Sequence, residues 1–322
     1  ISMKKLIPLF LSLALLLSGC GPASAPAEED GTLTVAAMTY PLYLFTSRVI
    51  EGAQGVAAAA VINQPMSCLH DYTLTVNDMK AIQGADLLLL NGVGLEDAMS
   101  AAIESSGVPT VDCSAGVSLL HYGESAEEHA EHGDGEDHGG HDHGGHDHGE
   151  YDPHIWMDPA RAAVMVENIA AALSQADPDN AQLYADNAAA YADELTALKD
   201  ELRDRLSGLE PRELITFHEG FGYFADAMGL TVVKAIEEEA GSEASAKELV
   251  EILDLIEQYH LPAIFTEANG SDATANAVSR ETGVRVAQLT MLMSAEAVPA
   301  DSAAPYRAGL EQNVNAILEA YE

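Results

Sequence analysis

Twelve histidines are the residues of this chain best suited to bind a metal ion. Eight of them lie in one segment, 121–150, among Gly, Asp and Glu, whereas His70, His154, His218 and His260 stand apart. Neutral imidazole is the most common metal ligand among side chains. The distribution therefore indicates two kinds of site: isolated histidines that folding could bring together, and a dense run that could collect ions.

Three of the isolated histidines occur where ligands are expected. His70 lies in "MSCLHDYTLT" after a predicted strand, His218 in "ITFHEGFGYF" ends another strand, and His154 in "YDPHIWMDP" follows the polar run. Each has an acidic residue within two positions, and a ligating histidine usually passes its second N–H to a carboxylate or carbonyl. A single histidine at a strand end is more often structural, so the hypothesis requires the three to converge. His260, near a predicted helix end, is expected to be structural.

The dense run is predicted to be a flexible loop, because it has almost nothing apolar to bury. A fixed metal cage needs fixed spacing, whereas these histidines are irregularly spaced. We therefore expect weak, exchanging metal sites that collect the ion near the principal site or sense its abundance. A merely solvating linker is the alternative. The histidines concerned are His121, His129, His132, His138, His141, His143, His146 and His148.

The start of the chain has the pattern of a leader. Two lysines precede an apolar run that ends in "LSGC". This pattern is typical of a signal peptide over 1–19 with a bacterial lipobox at 17–20, in which Cys20 becomes lipidated and anchors the protein to the membrane. A plain secretion signal is the alternative. Residues 20–31 are expected to be a flexible tether.

Charge and cysteine content restrict the partners and the redox chemistry. The formal net charge of −38 makes nucleic acid an unfavourable partner and attracts cations. Once Cys20 is lipidated, only Cys68 and Cys113 remain. They either form a disulfide or are two small buried hydrophobic residues.

An α/β scaffold must position the histidines. Short apolar runs alternate with helical patterns in both halves of the chain, which predicts two Rossmann-like lobes, 32–178 and 209–322, each with a mostly parallel sheet. Ligand sites in such folds form outside the carboxyl ends of the strands and between domains. The pattern thus predicts a metal site in the cleft between the lobes. The predicted strands are "TLTVAAM", "GVAAAAVI", "DLLLLNG", "PTVDCS", "ELITFH", "LTVVKAI", "PAIFTE" and "GVRVAQL".

A long amphipathic helix is predicted over 179–208, between the lobes. Its apolar residues recur at alternating spacings of three and four from Tyr184 to Leu206. Its length of roughly 40 Å would make it a stiff strut. A coiled coil is the alternative, although the Ala-rich stripe favours packing along the two lobes.

Several motifs, in their order and spacing, resemble the ZnuA-like zinc/manganese solute-binding lipoproteins of bacterial ABC importers. They are "LHDYTLTVNDMKAIQGADLLLLNGVGLED", the His-rich acidic insert followed by "DPHIWMDP", "ITFHEGFGYFADAMGL" and "IFTEANGSDATANAVSRETGVRV". The resemblance covers nearly all of the chain after the leader. It implies two α/β lobes joined by a long rigid helix, and it places three metal ligands at His70, His154 and His218.

The resemblance leaves the fourth ligand open. Many members have an Asp where this chain has Thr290, and others have an acid where it has Leu69. Glu267 is our first substitute, although it could support His218 without touching the metal. Water, Cys68, or a carboxylate or histidine from the loop are the other possibilities.

The predicted donors favour zinc as the cargo. Three neutral imidazoles form a borderline-soft site that suits Zn(II), whereas Mn(II) prefers more oxygen ligands and is the less favoured alternative. Binding should weaken below about pH 6, because a ligating histidine must be neutral. We expect a monomeric, lipid-anchored extracytoplasmic protein that passes zinc to a membrane ABC permease and its ATPase, with small lobe movements on binding.

Two other functions are weighed against this one. A zinc enzyme would also hold its metal with three histidines and an open position. However, "HEGFG" has Gly222 where the H-E-x-x-H motif needs its second histidine, so the protein is not expected to be an enzyme. An adhesin or metal-buffering surface lipoprotein would keep the metal site and lack the permease.

Overall fold

The computed structural model describes residues 32–65, 69, 72–121, 150–236, 245–268, 270, 272–297 and 304–322. The leader with Cys20, the predicted ligand His70, Cys68 and the loop histidines other than His121 lie outside these residues. Within the described ranges, no helix is both long enough and apolar enough to cross a membrane.

The first sheet has four parallel strands in the order β2-β1-β3-β4. Local signals in the sequence account for its helices: Thr39 caps α1 by accepting a hydrogen bond from the Leu42 amide, and Thr75 forms a capping box with Asp78 at the start of α2. The elements are β1 (Leu33–Ala37), α1 (Tyr40–Val49), β2 (Val56–Ala60), α2 (Val76–Gln83), β3 (Leu87–Leu90), α3 (Ser100–Ser106) and β4 (Thr110–Asp112).

Two long helices follow the His-rich segment and form an antiparallel pair: α4 (Pro159–Ala176) and α5 (Ala181–Arg205). Helix α5 is the predicted strut, and its 25 residues correspond to about 38 Å. A short 3₁₀ turn at Pro178–Asn180 separates the two helices. The apolar stripe predicted from the sequence is the buried face of α5: Tyr184, Ala188, Tyr191, Leu195, Leu198 and Leu202.

The second sheet repeats the arrangement of the first, with parallel strands in the order β6-β5-β7-β8. All eight strands predicted from the sequence are thus present. The elements are β5 (Glu213–Thr216), α6 (Gly222–Met228), β6 (Thr231–Ala235), α7 (Ala246–Tyr259), β7 (Ala263–Glu267), α8 (Ala273–Thr282), β8 (Arg285–Leu289) and α9 (Pro305–Tyr321).

The larger apolar core continues from the first lobe through α4 and α5 into the second, while a smaller cluster lies under α7 and α8. A partly buried ionic network joins the same parts. Asp158, at the start of α4, accepts from Arg161 at 2.7 Å and from Lys199 of α5 at 3.1 Å. Arg161 also bonds Asp226 of α6 at 2.7 Å. Shared core and shared charges both oppose free hinge bending between the lobes.

The described cysteine is a buried thiol. Cys113, just after β4, is fully buried and free. Burial raises the pKa of this thiol well above its ordinary value, so it stays protonated and packs as a small hydrophobic side chain. For Cys113 this matches the second of the two alternatives, whereas Cys68 lies outside the described residues.

Candidate metal site

Two predicted ligands lie at the carboxyl edge of the second sheet. His218 comes two residues after β5 and is 8% exposed, and Glu267 is the last residue of β7 and is 3% exposed. Because β5 and β7 are paired neighbours, their ends meet at one edge of the sheet, where ligand sites form in such folds. The strand-end positions expected from the sequence are therefore correct for both residues.

The segment that carries His154 is tied to the carboxyl end of the first sheet. Asn91 follows β3, and its side-chain amide donates to the carbonyl of Pro153 at 2.9 Å. The turn after β3 is itself held by Glu96, which accepts from the amides of Asn91 at 2.7 Å and Gly92 at 3.1 Å. Burial raises the pKa of Glu96 to about 7. Sequence reasoning did not identify this buried turn as a support of the site.

Asp152 orients His154 and selects its tautomer. Nδ1 of His154 donates to Oδ1 of Asp152 at 2.6 Å, and the His154 amide donates to the same oxygen at 2.8 Å. Both side chains are almost fully buried. With the proton on Nδ1, the lone pair is on Nε2, the form in which a histidine binds a metal. Tyr223 of α6 donates to the Asp152 carbonyl at 2.8 Å, which fixes this residue from the second lobe.

His154 and His218 face each other across the lobes. Their ring centroids are 5.5 Å apart, and the ring planes are inclined by 85°. Gly220 lies beside both rings: a Cβ at this position would be 3.0 Å from Cδ2 of each histidine and 2.2 Å from Sδ of Met291. Any larger residue here would therefore crowd these three side chains. The structure thus brings together two of the three predicted histidine ligands.

The structure does not group the other predicted ligands, Glu267 and His70, with His154 and His218. Among the described residues, no three His, Cys, Asp or Glu side chains lie close enough to hold a metal ion. Glu267 consequently forms no such group with His154 and His218, and His70 lies outside the described residues. Burial raises the pKa of Glu267 to about 9, so its carboxyl carries a proton at neutral pH. A metal at this carboxyl would have to displace that proton.

The resemblance leads one to expect an acid at position 290. The Thr290 found there forms hydrogen bonds within the protein instead. Its hydroxyl accepts from the Leu292 amide at 3.1 Å, and its own amide donates to the side chain of Asn313 at 2.8 Å. The neighbouring Met291 is the residue whose side chain reaches the histidines beside Gly220. Sequence reasoning considered only position 290. The thioether one residue later in "QLTML" was the signal that it missed.

The His-rich segment begins and ends at one point of the first lobe. His121 and Tyr151 form an antiparallel bridge, and their ring centroids are 4.5 Å apart. Nδ1 of His121 is 3.9 Å from a carboxylate oxygen of Glu150. The segment therefore leaves the fold at His121 and re-enters it at Tyr151, three residues before His154.

A family model described as "zinc-uptake complex component A periplasmic" matches residues 35–320 of this chain. The match includes both sheets and the segment between them. The chain belongs to this family of zinc-uptake components.

Similar proteins support the family assignment. The chain is 31% identical over 319 residues to the zinc-binding lipoprotein AdcA of Streptococcus pneumoniae, with 98% of this chain and 60% of AdcA covered. It is 29% identical over 323 residues to the high-affinity zinc uptake system protein ZnuA of Bacillus subtilis, with 98% of this chain and 97% of ZnuA covered. The chain therefore spans nearly all of the ZnuA protein and only three fifths of AdcA.

A solved structure shares the fold. The Zn(II)-bound ZnuA-like domain of Streptococcus pneumoniae AdcA superposes on this chain with a TM-score of 0.70 and 26% sequence identity. The superposition covers 90% of this chain and 99% of that domain. The arrangement of two parallel sheets with a long helix between them is therefore common to this chain and to a zinc-bound family member.

Proposed function

We propose that this protein captures Zn(II) outside the cytoplasm and delivers it to a membrane ABC permease driven by an ATPase. One observation carries the proposal: His154 and His218, from different lobes, face each other at 5.5 Å between ring centroids. Asp152 bonds Nδ1 of the first ring, so Nε2 would be the nitrogen that binds the metal. Membership of the zinc-uptake component family supports this function. In this proposal the protein is a carrier and not an enzyme.

His70 would complete a set of three imidazoles, which suits the borderline-soft Zn(II) ion better than Mn(II). Glu267, at the end of β7, is the proposed fourth ligand for zinc, with water as the alternative. We assign the lobes to 32–178 and 209–322, with 179–208 as the linking segment. The shared core and the Asp158 network favour small lobe shifts on zinc binding.

Two accessory features are part of the proposal. Cys20 would carry the lipid that anchors the mature protein to the outer face of the cell membrane, with 20–31 as the tether. The histidines of segment 121–150 would collect zinc through weak, exchanging contacts and raise its concentration near the cleft. Because this segment re-enters the fold close to His154, collected ions would have a short path to the principal site.

Calorimetric titration with zinc at pH 7.5 tests the cleft assignment. His70→Ala, His154→Ala and His218→Ala should each remove the single tight site, because each loses one imidazole donor. His260→Asn is the matched control. His260 is exposed at the left-handed C-cap of α7, a conformation that Asn tolerates, so zinc binding should remain unchanged. Tight binding that survives all three alanine variants would refute the assignment.

Deletion of 122–149 tests the accessory segment separately. The bridge between His121 and Tyr151 brings the cut ends together, so a short glycine linker should close the chain without disturbing the lobe. The deletion should keep the one tight site and lose only weaker binding. Loss of the tight site together with the segment would mean that the histidine run is itself the principal receptor.

A further inference from the structure

Met291 presents a thioether to the two facing histidines. The residue is 1% exposed, two positions after β8. One point in space, the site of a Cβ on Gly220, lies 2.2 Å from Sδ of Met291 and 3.0 Å from Cδ2 of both His154 and His218. Cδ2 is bonded to Nε2, the ring nitrogen of His154 that is not bonded to Asp152. The sulfur and the two imidazole rings therefore all lie beside the same point next to Gly220.

Hydrogen bonds on both sides of Met291 hold its backbone in place. Asn313 of α9 accepts from the Thr290 amide and donates to the Thr290 carbonyl, both at 2.8 Å. The indole N–H of Trp156 donates to the Met291 carbonyl at 2.8 Å. The Leu292 amide bonds the Thr290 hydroxyl, and Leu292 has a left-handed φ of 64°. Four hydrogen bonds thus fix the backbone that carries the thioether, and burial of Met291 restricts the side chain itself.

The chemistry of these donors is soft. Thioether sulfur favours soft ions such as Cu(I), imidazole serves many transition metals, and carboxylate oxygen favours hard ions such as Mn(II). Here the thioether is beside the histidines, while Thr290 offers no carboxylate and its hydroxyl already accepts a backbone hydrogen bond. Two imidazoles with one thioether are a donor set that suits a monovalent d¹⁰ ion better than it suits Mn(II).

We propose that Met291 is a specificity-determining residue, whose thioether allows the cleft to bind soft monovalent ions, Cu(I) and its redox-stable analogue Ag(I), in competition with zinc. This inference rests on the proposed function, because it uses the same two histidines. Zinc does not require the thioether in this scheme, since its donors are imidazoles and an oxygen ligand.

Trp156 provides a readout that is local to the cleft. It is the single tryptophan of the chain, and its ring is 5.2 Å from that of His154 in an edge-to-face arrangement. Its fluorescence therefore reports binding at His154. The intact chain would be titrated with Ag(I) and, separately, with Zn(II), each in the wild type, Met291→Leu and Met293→Leu. His154→Ala establishes which part of each response belongs to the cleft.

Met293→Leu is the matched control, because it makes the same substitution at a residue that is also buried, 3% exposed, two positions away. Leu and Met have similar volumes, so both variants should fold. In Met291→Leu, Ag(I) affinity should fall by about 10-fold or more, since even outer-shell partners of metal sites contribute about 10- to 100-fold. Zinc affinity should be unchanged, and Met293→Leu should bind both ions like the wild type.

The outcomes distinguish a failure of the Met291 inference from a failure of the proposed zinc capture. Equal Ag(I) affinity in Met291→Leu and Met293→Leu would overturn the inference and leave zinc capture intact. Loss of zinc and Ag(I) binding together in Met291→Leu alone would also overturn it, because Met291 would then support the whole cleft. A zinc response that is absent in the wild type, or that persists in His154→Ala, would contradict the proposed function itself.

Discussion

Replacing Gly220 with alanine should weaken zinc binding by a purely steric route. The new Cβ would stand 2.2 Å from Sδ of Met291 and 3.0 Å from Cδ2 of both His154 and His218. Gly220 lies in the 3₁₀ turn Glu219–Phe221 and has no positive φ, so alanine can adopt its backbone conformation. The effect would therefore come from crowding at the proposed metal site and not from backbone strain.

The distances set the size of the effect. Carbon atoms in contact prefer about 3.5–4.0 Å, so the sulfur must retreat by roughly 1.3 Å and each imidazole carbon by roughly 0.5 Å. Metal–ligand distances tolerate only about 0.2 Å. Two displaced imidazoles should then cost about 10- to 100-fold in zinc affinity, comparable with loss of a partner that orients a ligand. Overpacking should also lower the free energy of unfolding by about 1–3 kcal/mol.

Gly208→Ala is the control for this prediction. Nothing lies within 4 Å of a Cβ built on Gly208, which follows α5 and has no positive φ. The same added methyl group should change stability by less than about 0.5 kcal/mol and leave zinc affinity unaltered. Zinc affinity would be measured by chelator competition with Trp156 fluorescence as the signal, and stability by urea unfolding.

A double variant distinguishes crowding from other causes. Met291→Ala removes the closest neighbour, so combining it with Gly220→Ala should recover part of the lost zinc affinity, a coupling that a double-mutant cycle measures. Wild-type zinc affinity in Gly220→Ala would refute the reasoning, because the imidazoles would then not approach residue 220 as described. Strict additivity in the cycle would refute the assignment of the main clash to Met291.

Three further predictions concern the supports of the site. Asp152→Asn should lower zinc affinity by about 10- to 100-fold in chelator competition, since His154 loses the carboxylate that fixes its tautomer; unchanged affinity would contradict this. Burial raises the pKa of Glu96 to about 7, so its proton stabilises the fold fully at low pH, and that stability is lost as pH rises through about 7. Urea unfolding between pH 5 and 8 should show a slope of up to about 1.4 kcal/mol per pH unit that Glu96→Gln removes, and equal slopes would refute it. Tyr306→Phe should cost about 1–3 kcal/mol in urea unfolding, because the carbonyl of Trp156 loses a buried donor at 2.6 Å; a loss near zero would mean that the bond contributes nothing net.

Local patterns were sufficient to predict most of the scaffold. Apolar runs bounded by turn residues identified all eight strands, since a strand buried on both faces needs a continuous apolar run. The stripe from Tyr184 to Leu202 identified the long helix, because its period matches the α-helix. Helix α4, at Pro159–Ala176, was not singled out, although Asp158 and Pro159 are good starting signals.

The sequence by itself determined which residues could donate to a metal and that two of them, His154 and His218, stand at element ends where a site can form. Residue type and local pattern suffice for this, because donor chemistry and helix or strand period are local properties. Only the tertiary structure decided that these rings face each other at 5.5 Å, that Asp152 fixes one of them, and that Met291 is the sulfur beside both. Those distances depend on how two sheets and the α4–α5 pair share one core, and no local pattern encodes contacts between segments so far apart along the chain.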